Sequence, residues 1–255
     1  MKESLKRDFD RFKSLSFEDF KELAKDESLS VYQKIGFPDE YRKGKEHLIL
    51  NDIINKLNIR DAQSKVLLDI GIGCSDLAEY IIELTRTEKM TLLAVDSKEM
   101  LDNIEDAEHV KKFYGYFPDQ TEELVNKYSN GVDYIICYSI FHYVFYSTCT
   151  YRFIDIAVSL LKPGGKLLLA DLPNISKRKR FFSSDTGILF HQNFTETNTL
   201  PEVKHLVHEP GQIDDGVVFG ILQRYRNFGY ETYLLPQNQD LPMANRREDI
   251  LIVKN

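Results

Sequence analysis

Short apolar runs alternate with segments of helical length from residue 65 onward, and this alternation limits the possible folds more than any other feature of the sequence. The runs are KVLLDI (65–70), TLLAVD (91–96), KKFYGY (111–116), VDYIICYS (132–139) and KLLLADL (166–172). Continuous apolar runs are typical of strands that are buried on both faces of a parallel sheet. The alternation therefore predicts a doubly wound α/β sheet with right-handed crossover connections.

The end of the chain follows a different pattern. Apolar residues from Val217 to Phe228 recur at helical spacing, and Gly229 is a typical helix-ending residue. The segments ETYLLPQ (231–237) and DILIVKN (249–255) then indicate two strands. The loop between them has the length of a hairpin connection and not of a helical crossover, so these strands are expected to pair antiparallel at a sheet edge.

Residues 1–60 lack strand alternation. Leu50, Ile53, Ile54 and Leu57 recur at helical spacing and predict an amphipathic helix over about 45–58. Weaker helical patterns lie around Phe9–Phe12 and Phe17–Leu23, and FPDEYR (37–42) indicates a turn between helices.

These patterns divide the chain into two parts. We expect a helical N-terminal extension over 1–60 and one α/β domain over 61–255, with an insertion over 173–215 on the acceptor side of the site. The insertion carries several phenylalanines and is too apolar for a solvated linker, so it is expected to fold over the site as a cap.

Composition excludes several classes of function. Lys+Arg 33 against Asp+Glu 40 gives a net charge of −7, which argues against a large footprint on nucleic acid or on an anionic membrane. The three cysteines form no zinc-type spacing, the first residues contain no apolar signal region, and no apolar run is long enough to span a membrane. We therefore expect a cytoplasmic protein without a metal; its oligomeric state stays open.

The segment VLLDIGIGCSDL (66–77) carries the functional prediction. Gly71 and Gly73 follow a buried strand that contains Asp69, and glycines at such a turn let the backbone approach a ligand closely. Dinucleotide-binding turns place a third glycine where this chain has Asp76. The acids Asp69 and Asp76 would both repel a pyrophosphate, so a cationic ligand such as S-adenosylmethionine fits this turn better.

The second strand ends in another acid, Asp96, which lies 23 residues after Gly73. A carboxylate at this point can accept hydrogen bonds from both hydroxyls of a ribose, which NAD and S-adenosylmethionine share. A plain charge at a helix N-terminus is the alternative interpretation. Strand end and spacing together favour the ligand-binding role.

Four segments in order resemble the class I S-adenosylmethionine-dependent methyltransferases. They are DIGIGCSDL, LLAVD, DYIICYSIFHYV and LLKPGGKLLLADLP, and the resemblance runs from about Lys65 to the C-terminus. It implies S-adenosylmethionine as the cofactor and a mostly parallel sheet of seven strands whose seventh strand is antiparallel. Regions 1–60 and 173–215 resemble, more loosely, methyltransferases of bacterial capsule and surface-polysaccharide gene clusters.

The resemblance also implies a set of cofactor-binding residues. They are Asp69, Gly71, Gly73, Cys74, Asp96, Ser97, Met100, Tyr116, Phe117, Cys137 and Tyr138. Tyr116 departs from the pattern, because many family members have an acid after the third strand; contact with the adenine face and plain core packing both stay open. The fourth strand lacks the Asn/Asp-Pro-Pro-aromatic run of enzymes that methylate nucleobases, which argues against DNA as a substrate.

The acceptor side is predicted from basic and titratable residues. A hydroxyl acceptor benefits from a general base, for which His142 and Asp171 are the catalytic candidates; simple packing of His142 and a turn cap at Asp171 are the alternatives. The basic run 177–180 favours an anionic acceptor; a solvated charged face is the alternative interpretation. The expected acceptor-binding residues are Tyr41, Arg42, Lys177, Arg178, Arg180, His191, Arg246 and Arg247.

The predicted function is therefore methyl transfer from S-adenosylmethionine to an oxygen of a small anionic acceptor, such as a sugar, nucleotide-sugar, phosphate or phosphoramidate, with units of a capsule or surface polysaccharide among the candidates. Two alternatives stay open. One is an NAD-dependent oxidoreductase on the same kind of sheet, against which Asp76 counts. The other is a methyltransferase-like domain that binds a partner without catalysis.

Overall fold

The computed structural model describes Phe12 and residues 15–255. Apart from Phe12, the helical pattern predicted around Phe9–Phe12 lies outside the described residues. The described N-terminal region contains four helices: α1 (Phe17–Lys25), α2 (Val31–Lys34), α3 (Asp39–Arg42) and α4 (Glu46–Leu57).

Local sequence explains these N-terminal helices. Ser16 and Ser30 begin α1 and α2 by accepting the backbone N–H of the third helical residue, and that residue's side chain accepts the serine N–H in return. The turn predicted over 37–42 contains the single helical turn α3, which follows Pro38. The amphipathic pattern over 45–58 is α4, whose Ile49, Ile53 and Leu57 are buried.

Seven strands form one sheet, as the alternation and the C-terminal pattern predict. The strands are β1 (Val66–Ile70), β2 (Thr91–Asp96), β3 (Val110–Tyr114), β4 (Val132–Tyr138), β5 (Leu161–Pro173), β6 (Glu231–Pro236) and β7 (Arg247–Val253). Their order is β3-β2-β1-β4-β5-β7-β6, and β7 pairs antiparallel with both β5 and β6. The order reverses direction at β1, which lies between β2 and β4, so ligands of such sheets bind at its carboxyl end.

The remaining helices connect the strands. They are α5 (Asp76–Thr87), α6 (Lys98–Leu101), α7 (Glu122–Lys127), α8 (Phe141–Ser147), α9 (Thr150–Leu160), α10 (Ile175–Phe182), α11 (Asp185–Thr195) and α12 (Asp215–Asn227), with a 3-10 turn at Ala244–Arg246. The helix α12 ends before Gly229, as the sequence predicts. The helix α6 is only one turn long, because the chain turns back to β3 soon after Ser97 caps it.

The core lies on both faces of the sheet. On β1, Leu67 belongs to the core cluster that contains Ile53 and Ile81, and Leu68 belongs to the second core cluster, which contains Phe153 and Tyr225. Each of these side chains is fully buried. Burial on both faces is the physical reason why the strands are apolar without alternation.

The insertion begins as two helices, α10 and α11, and continues without regular secondary structure to α12. The helix α10 packs against α11, α12 and the 3-10 turn. Leu189 and Phe194 of α11 remain more than half exposed. Over the described ranges, none of the helices combines the length and the apolar character that crossing a bilayer requires.

Candidate functional site

A cavity of about 370 Å³ lies at the carboxyl ends of the central strands. Its floor comes from the turns that follow β1, β2, β3 and β4, and its walls come from the N-terminal region and α8. Arg42, Asp69 and Asp96 are the charged residues that line it within the described chain, and most of the other lining side chains are apolar or aromatic. The cavity therefore lies at the reversal point of the strand order, where the sequence places the ligand.

The glycine turn after β1 needs glycine at two positions. Gly71 and Gly73 have φ angles of 77° and 67°, in the region that side chains disfavour. A Cβ at Gly71 would lie 2.8 Å from Ile140 Cδ1, and one at Gly73 would lie 2.9 Å from Ile35 Cγ2. Backbone conformation and close packing both explain the motif.

Asp96 is anchored at the floor of the cavity. Its Oδ2 accepts the Gly73 N–H at 2.9 Å, and its Oδ1 accepts the Ser97 N–H at 2.7 Å. Burial raises the pKa of Asp96 to about 6, and the two backbone hydrogen bonds oppose that increase. An ionised carboxylate has about four acceptor positions, so two remain for hydroxyl groups of a ligand.

Asp69 lies beside Asp96 in the same cavity. Burial raises the pKa of Asp69 to about 8, and the negative charge of Asp96 adds to the increase. Two neighbouring buried acids disfavour an anionic ligand and favour a cation, because a positive charge would let both carboxyls ionise.

Asp76 occupies the position of the third glycine of a dinucleotide-binding turn. It is the first residue of α5, and its Oδ2 accepts a hydrogen bond from Tyr32 Oη at 2.5 Å. This carboxylate therefore sits at the helix N-terminus on which dinucleotide-binding proteins hold a pyrophosphate. Its charge disfavours such a ligand here.

The other predicted cofactor residues separate into two groups. Met100, Tyr116, Phe117 and Tyr138 line the cavity together with the glycines and acids. Cys74, Ser97 and Cys137 do not line it. They lie behind its wall: Cys74 Sγ is 3.6 Å from Met100 Sδ, Ser97 caps α6, and Cys137 is fully buried with the pKa of its thiol raised by burial.

The N-terminal region supplies a wall that the sequence did not predict. Phe17, Phe20, Ile35 and Phe37 line the cavity in addition to Arg42. The Phe20 ring meets Tyr143 of α8 edge-on at 5.1 Å between centroids, and Phe17 meets Tyr116 in the same way at 5.3 Å. The sequence signal for this wall is the weak helical pattern around Phe17–Leu23, which predicts an apolar face but not the element against which it packs.

The predicted cap needs correction, because none of the residues that line the cavity belongs to 173–215, a range the structure describes in full. Ion pairs within the insertion and a hydrogen bond to β7 hold three of its cations. Lys177 Nζ donates to the Arg247 carbonyl at 2.5 Å, Lys179 pairs with Glu209 at 3.0 Å, and Arg180 pairs with Asp215. His191 packs at an angle to Phe182, 6.4 Å between centroids, inside the insertion's own aromatic cluster.

Asp171 lies behind the cavity wall, where Ser139 separates it from the cavity. It accepts hydrogen bonds from Ser139 Oγ at 2.6 Å, from Arg247 Nη1 at 2.6 Å and from Gln237 Nε2 at 3.3 Å. Ser139 lines the cavity, whereas Asp171 does not. Both residues have φ angles near 60°, a conformation that is uncommon for residues other than glycine.

His142 is half-buried and does not line the cavity. Burial, together with the positive charge of Arg247, lowers the pKa of His142 to about 3, so the imidazole is neutral near pH 7. Its ring stacks at a tilt on Tyr143, and its buried Nδ1 has no hydrogen-bond partner in the described chain. A base with so low a pKa is weak, so nothing in this geometry favours a catalytic role over packing.

Three separate parts of the sequence nevertheless meet beside Asp171. Burial lowers the pKa of Arg246, and the neighbouring positive charges of Arg247 and Arg178 lower it further, while Tyr41 faces the same guanidinium. These four residues belong to the predicted acceptor set. They form a basic cluster that does not itself line the cavity; Arg247 and the lining residue Ser139 both donate hydrogen bonds to Asp171, which connects the cluster to the cavity.

No family model and no curated protein sequence matches the chain. The plantazolicin methyltransferase BpumL, solved in complex with SAH, is similar in structure: TM-score 0.56, 14% identity, 96% of this chain and 98% of that chain covered.

Two further solved structures are also similar to the chain. A SAM-dependent methyltransferase from Aquifex aeolicus gives a TM-score of 0.50 at 13% identity, covering 94% of this chain and 98% of that chain. A SAM-dependent methyltransferase from Leishmania major gives a TM-score of 0.54 at 13% identity, with 93% and 82% covered. At such identities the likeness establishes a shared fold over nearly the whole chain, and function has to be argued from the site.

Proposed function

We propose that this chain, which has the class I methyltransferase fold, is an S-adenosylmethionine-dependent methyltransferase that acts on a small-molecule acceptor. The observation that carries the proposal is the pair of buried carboxyls, Asp69 and Asp96, in one cavity beside the turn at Gly71 and Gly73. The fold occurs in the three methyltransferases described above, and the charge of the cavity suits a cationic ligand.

The residues of the cavity fit this cofactor. Asp96 has free acceptor positions for the two ribose hydroxyls, and Asp69 provides negative charge for the ammonium and sulfonium groups. Met100, Tyr116 and Phe117 provide apolar and aromatic surface for the adenine. When bound, S-adenosylmethionine supplies an activated methyl group.

The protein's own contribution is to position the reactants and exclude water. The aromatic rings of Phe20, Phe37 and Tyr143 line the cavity, and Arg42 is buried within it. Such a wall keeps bulk water from the reacting atoms. Ser139 follows β4 and lines the cavity, and the hydrogen bond that its hydroxyl donates to Asp171 fixes the orientation of its side chain.

A narrower proposal concerns the acceptor. We infer an oxygen atom of a small anionic acceptor, because the basic cluster of Tyr41, Arg178, Arg246 and Arg247 adjoins the cavity beside Asp171. In this proposal Asp171 orients the acceptor through Ser139, and His142 packs beside them. The comparisons give no support to a role in capsule synthesis.

Binding measurements on the purified chain test the main proposal. Isothermal calorimetry should detect S-adenosylhomocysteine, the demethylated product of the cofactor, but not NADH. Asp96→Asn should weaken the binding of S-adenosylhomocysteine about 10- to 100-fold, because the charge-assisted hydrogen bonds to the ribose hydroxyls are lost. Asp61→Asn, at an exposed turn residue, is the matched control and should change nothing.

The rival functions give different results. An NAD-dependent oxidoreductase would bind NADH in preference to S-adenosylhomocysteine. A non-catalytic scaffold would bind the nucleoside but would transfer no labelled methyl group to any member of a panel of sugars, nucleotide-sugars and natural-product fragments. Equal affinity of Asp96→Asn and the unmodified protein would remove Asp96 from the site.

A further inference from the structure

The helices α10 and α11 of the insertion are poorly buried for their composition. Gly187 is the only buried residue in these two helices, which the structure describes in full. Phe181, Phe182 and Phe190 contact one another with 5.1 to 6.3 Å between ring centroids, so the apolar side chains pack mainly among themselves. A helix pair that buries so little of its apolar surface keeps that surface available for a partner.

The exposed apolar surface continues from α11 into the segment that follows it. Gln192 of α11 donates to the Asn198 carbonyl at 3.3 Å, and Lys179 of α10 donates to the Val207 carbonyl at 2.8 Å. Both ends of the segment 196–207 are therefore held against the helix pair. The exposed apolar residues of this region, which we call the insertion patch, are Leu189, Phe190, Phe194, Leu200, Leu206 and Val207.

The insertion patch is large for a monomer. Its residues are between 40% and fully exposed, and Leu206 is the most exposed of them. At about 160–220 Å² of surface for a residue of these types, the patch exposes on the order of 700 Å². The largest apolar patch of a typical monomer is about 300–600 Å², whereas a stable interface buries about 800 Å² on each partner. The patch thus supplies most of the area of an interface.

Charge limits what this partner can be. Over 186–201 the sequence contains one acid and no lysine or arginine. The cations of α10 beside the patch are already engaged, because Lys179 pairs with Glu209 at 3.0 Å and Arg180 pairs with Asp215. Binding to an anionic membrane depends on cations that are free to face the lipid headgroups. The patch therefore fits a surface that is itself apolar and uncharged.

We propose that the insertion patch is the interface of a homodimer, in which it packs against the same patch of a second copy of the chain. A two-fold axis through the patch brings the two α11 helices together, and each copy supplies the uncharged apolar face that the other requires. None of the patch residues lines the cavity, so the inference does not depend on the proposed function.

Sedimentation velocity of the full chain over about 1–100 µM tests the proposal. The unmodified protein should sediment as a dimer at the upper end of this range. Phe194→Glu places a charge in the interface on both copies and should weaken the dimer at least about tenfold. Phe228→Glu is the matched control, because Phe228 lies just after α12 and is 58% exposed, as Phe194 is. This variant should dimerise like the unmodified protein.

The other results overturn the proposal. A monomer over the whole range does so, and so does a dimer of unchanged affinity in Phe194→Glu. If circular dichroism shows that Phe194→Glu does not fold, Leu206→Glu, at a fully exposed residue, replaces it with the same expectation. Flotation with vesicles of phosphatidylcholine and phosphatidylserine examines the rival partner. A protein that stays monomeric in solution and binds these vesicles only with Phe194 intact would assign the patch to a lipid surface.

Discussion

Two carboxyl groups dominate the chemistry of the cavity at the residue scale. Asp69 and Asp96 were identifiable from sequence because each lies at or near the end of an apolar strand, next to a turn. Their roles depend on tertiary facts that the sequence does not contain: Asp69 is buried beside a second acid, and Asp96 is held by the N–H groups of Gly73 and Ser97.

The raised pKa of Asp69 predicts how binding depends on pH. The ammonium group of S-adenosylhomocysteine favours the ionised carboxylate of Asp69, so below the pKa of about 8 binding releases a proton. The affinity for S-adenosylhomocysteine should therefore rise from pH 6.5 to pH 7.5, by up to about tenfold, and level off above pH 8. Calorimetry in two buffers of different ionisation enthalpy counts the released proton. Asp69→Asn should flatten the profile; an equally steep rise in that variant would assign the proton to another group.

The glycine turn allows a matched test of close packing. Gly73 and Gly164 both have positive φ angles, but an added Cβ at Gly73 would lie 2.9 Å from Ile35, whereas Gly164 has no neighbour within 4 Å. Gly164→Ala should cost about 1–2 kcal/mol of unfolding free energy from backbone strain alone and leave ligand affinity unchanged. Gly73→Ala should lower the unfolding free energy by more than Gly164→Ala and should also weaken the binding of S-adenosylhomocysteine. Urea denaturation and calorimetry measure both quantities, and equal effects of the two variants would contradict the packing argument.

The elements of the sheet were predictable, but the walls of the cavity were not. Apolar runs identify strands because burial on both faces excludes polar residues, and Gly229 marks the end of α12. The basic run 177–180 did not indicate its own partners: Lys179 and Arg180 pair with Glu209 and Asp215, more than twenty residues further along the chain, while Arg178 lies near Arg246. The sequence did not indicate that Phe20 and Ile35 line the cavity, since an apolar helix face predicts burial but not the element against which the face packs.

Substitutions in the two helical regions distinguish their roles. Phe20 of α1 lines the cavity and meets Tyr143, whereas Phe194 of α11 is 58% exposed and lies outside it. Phe20→Ala should weaken the binding of S-adenosylhomocysteine by roughly fivefold, the equivalent of about 1 kcal/mol of lost apolar contact. Phe194→Ala should change the affinity less than twofold. The opposite ranking in calorimetry would restore the insertion as the cap.

At the scale of the whole molecule, a buried network ties the N-terminal region to the far side of the sheet. Lys56 of α4 donates to Asp249 of β7 at 2.6 Å, and Asp249 accepts the Asp171 N–H at 2.8 Å. Asp249 is fully buried. The N-terminal helices and the sheet are therefore expected to unfold together.

Removal of the cation tests this coupling. Lys56→Met leaves the buried Asp249 without its charged partner and should cost about 3–5 kcal/mol of unfolding free energy, because an unpaired buried charge is not compensated. Lys43→Met, at an exposed lysine, should change the free energy by less than about 0.5 kcal/mol. Circular dichroism and tyrosine fluorescence should follow one urea transition for each variant. Separate transitions would show that the extension is an independent unit.

The central claim is that the cavity between Asp69 and Asp96 holds S-adenosylmethionine. A crystal structure of the chain grown with millimolar S-adenosylhomocysteine tests it most directly. The account predicts density for the nucleoside in this cavity, with both ribose hydroxyls on Asp96 and the homocysteine end beside Asp69. A cavity without the ligand at that concentration, or a ligand bound elsewhere on the sheet, would contradict it.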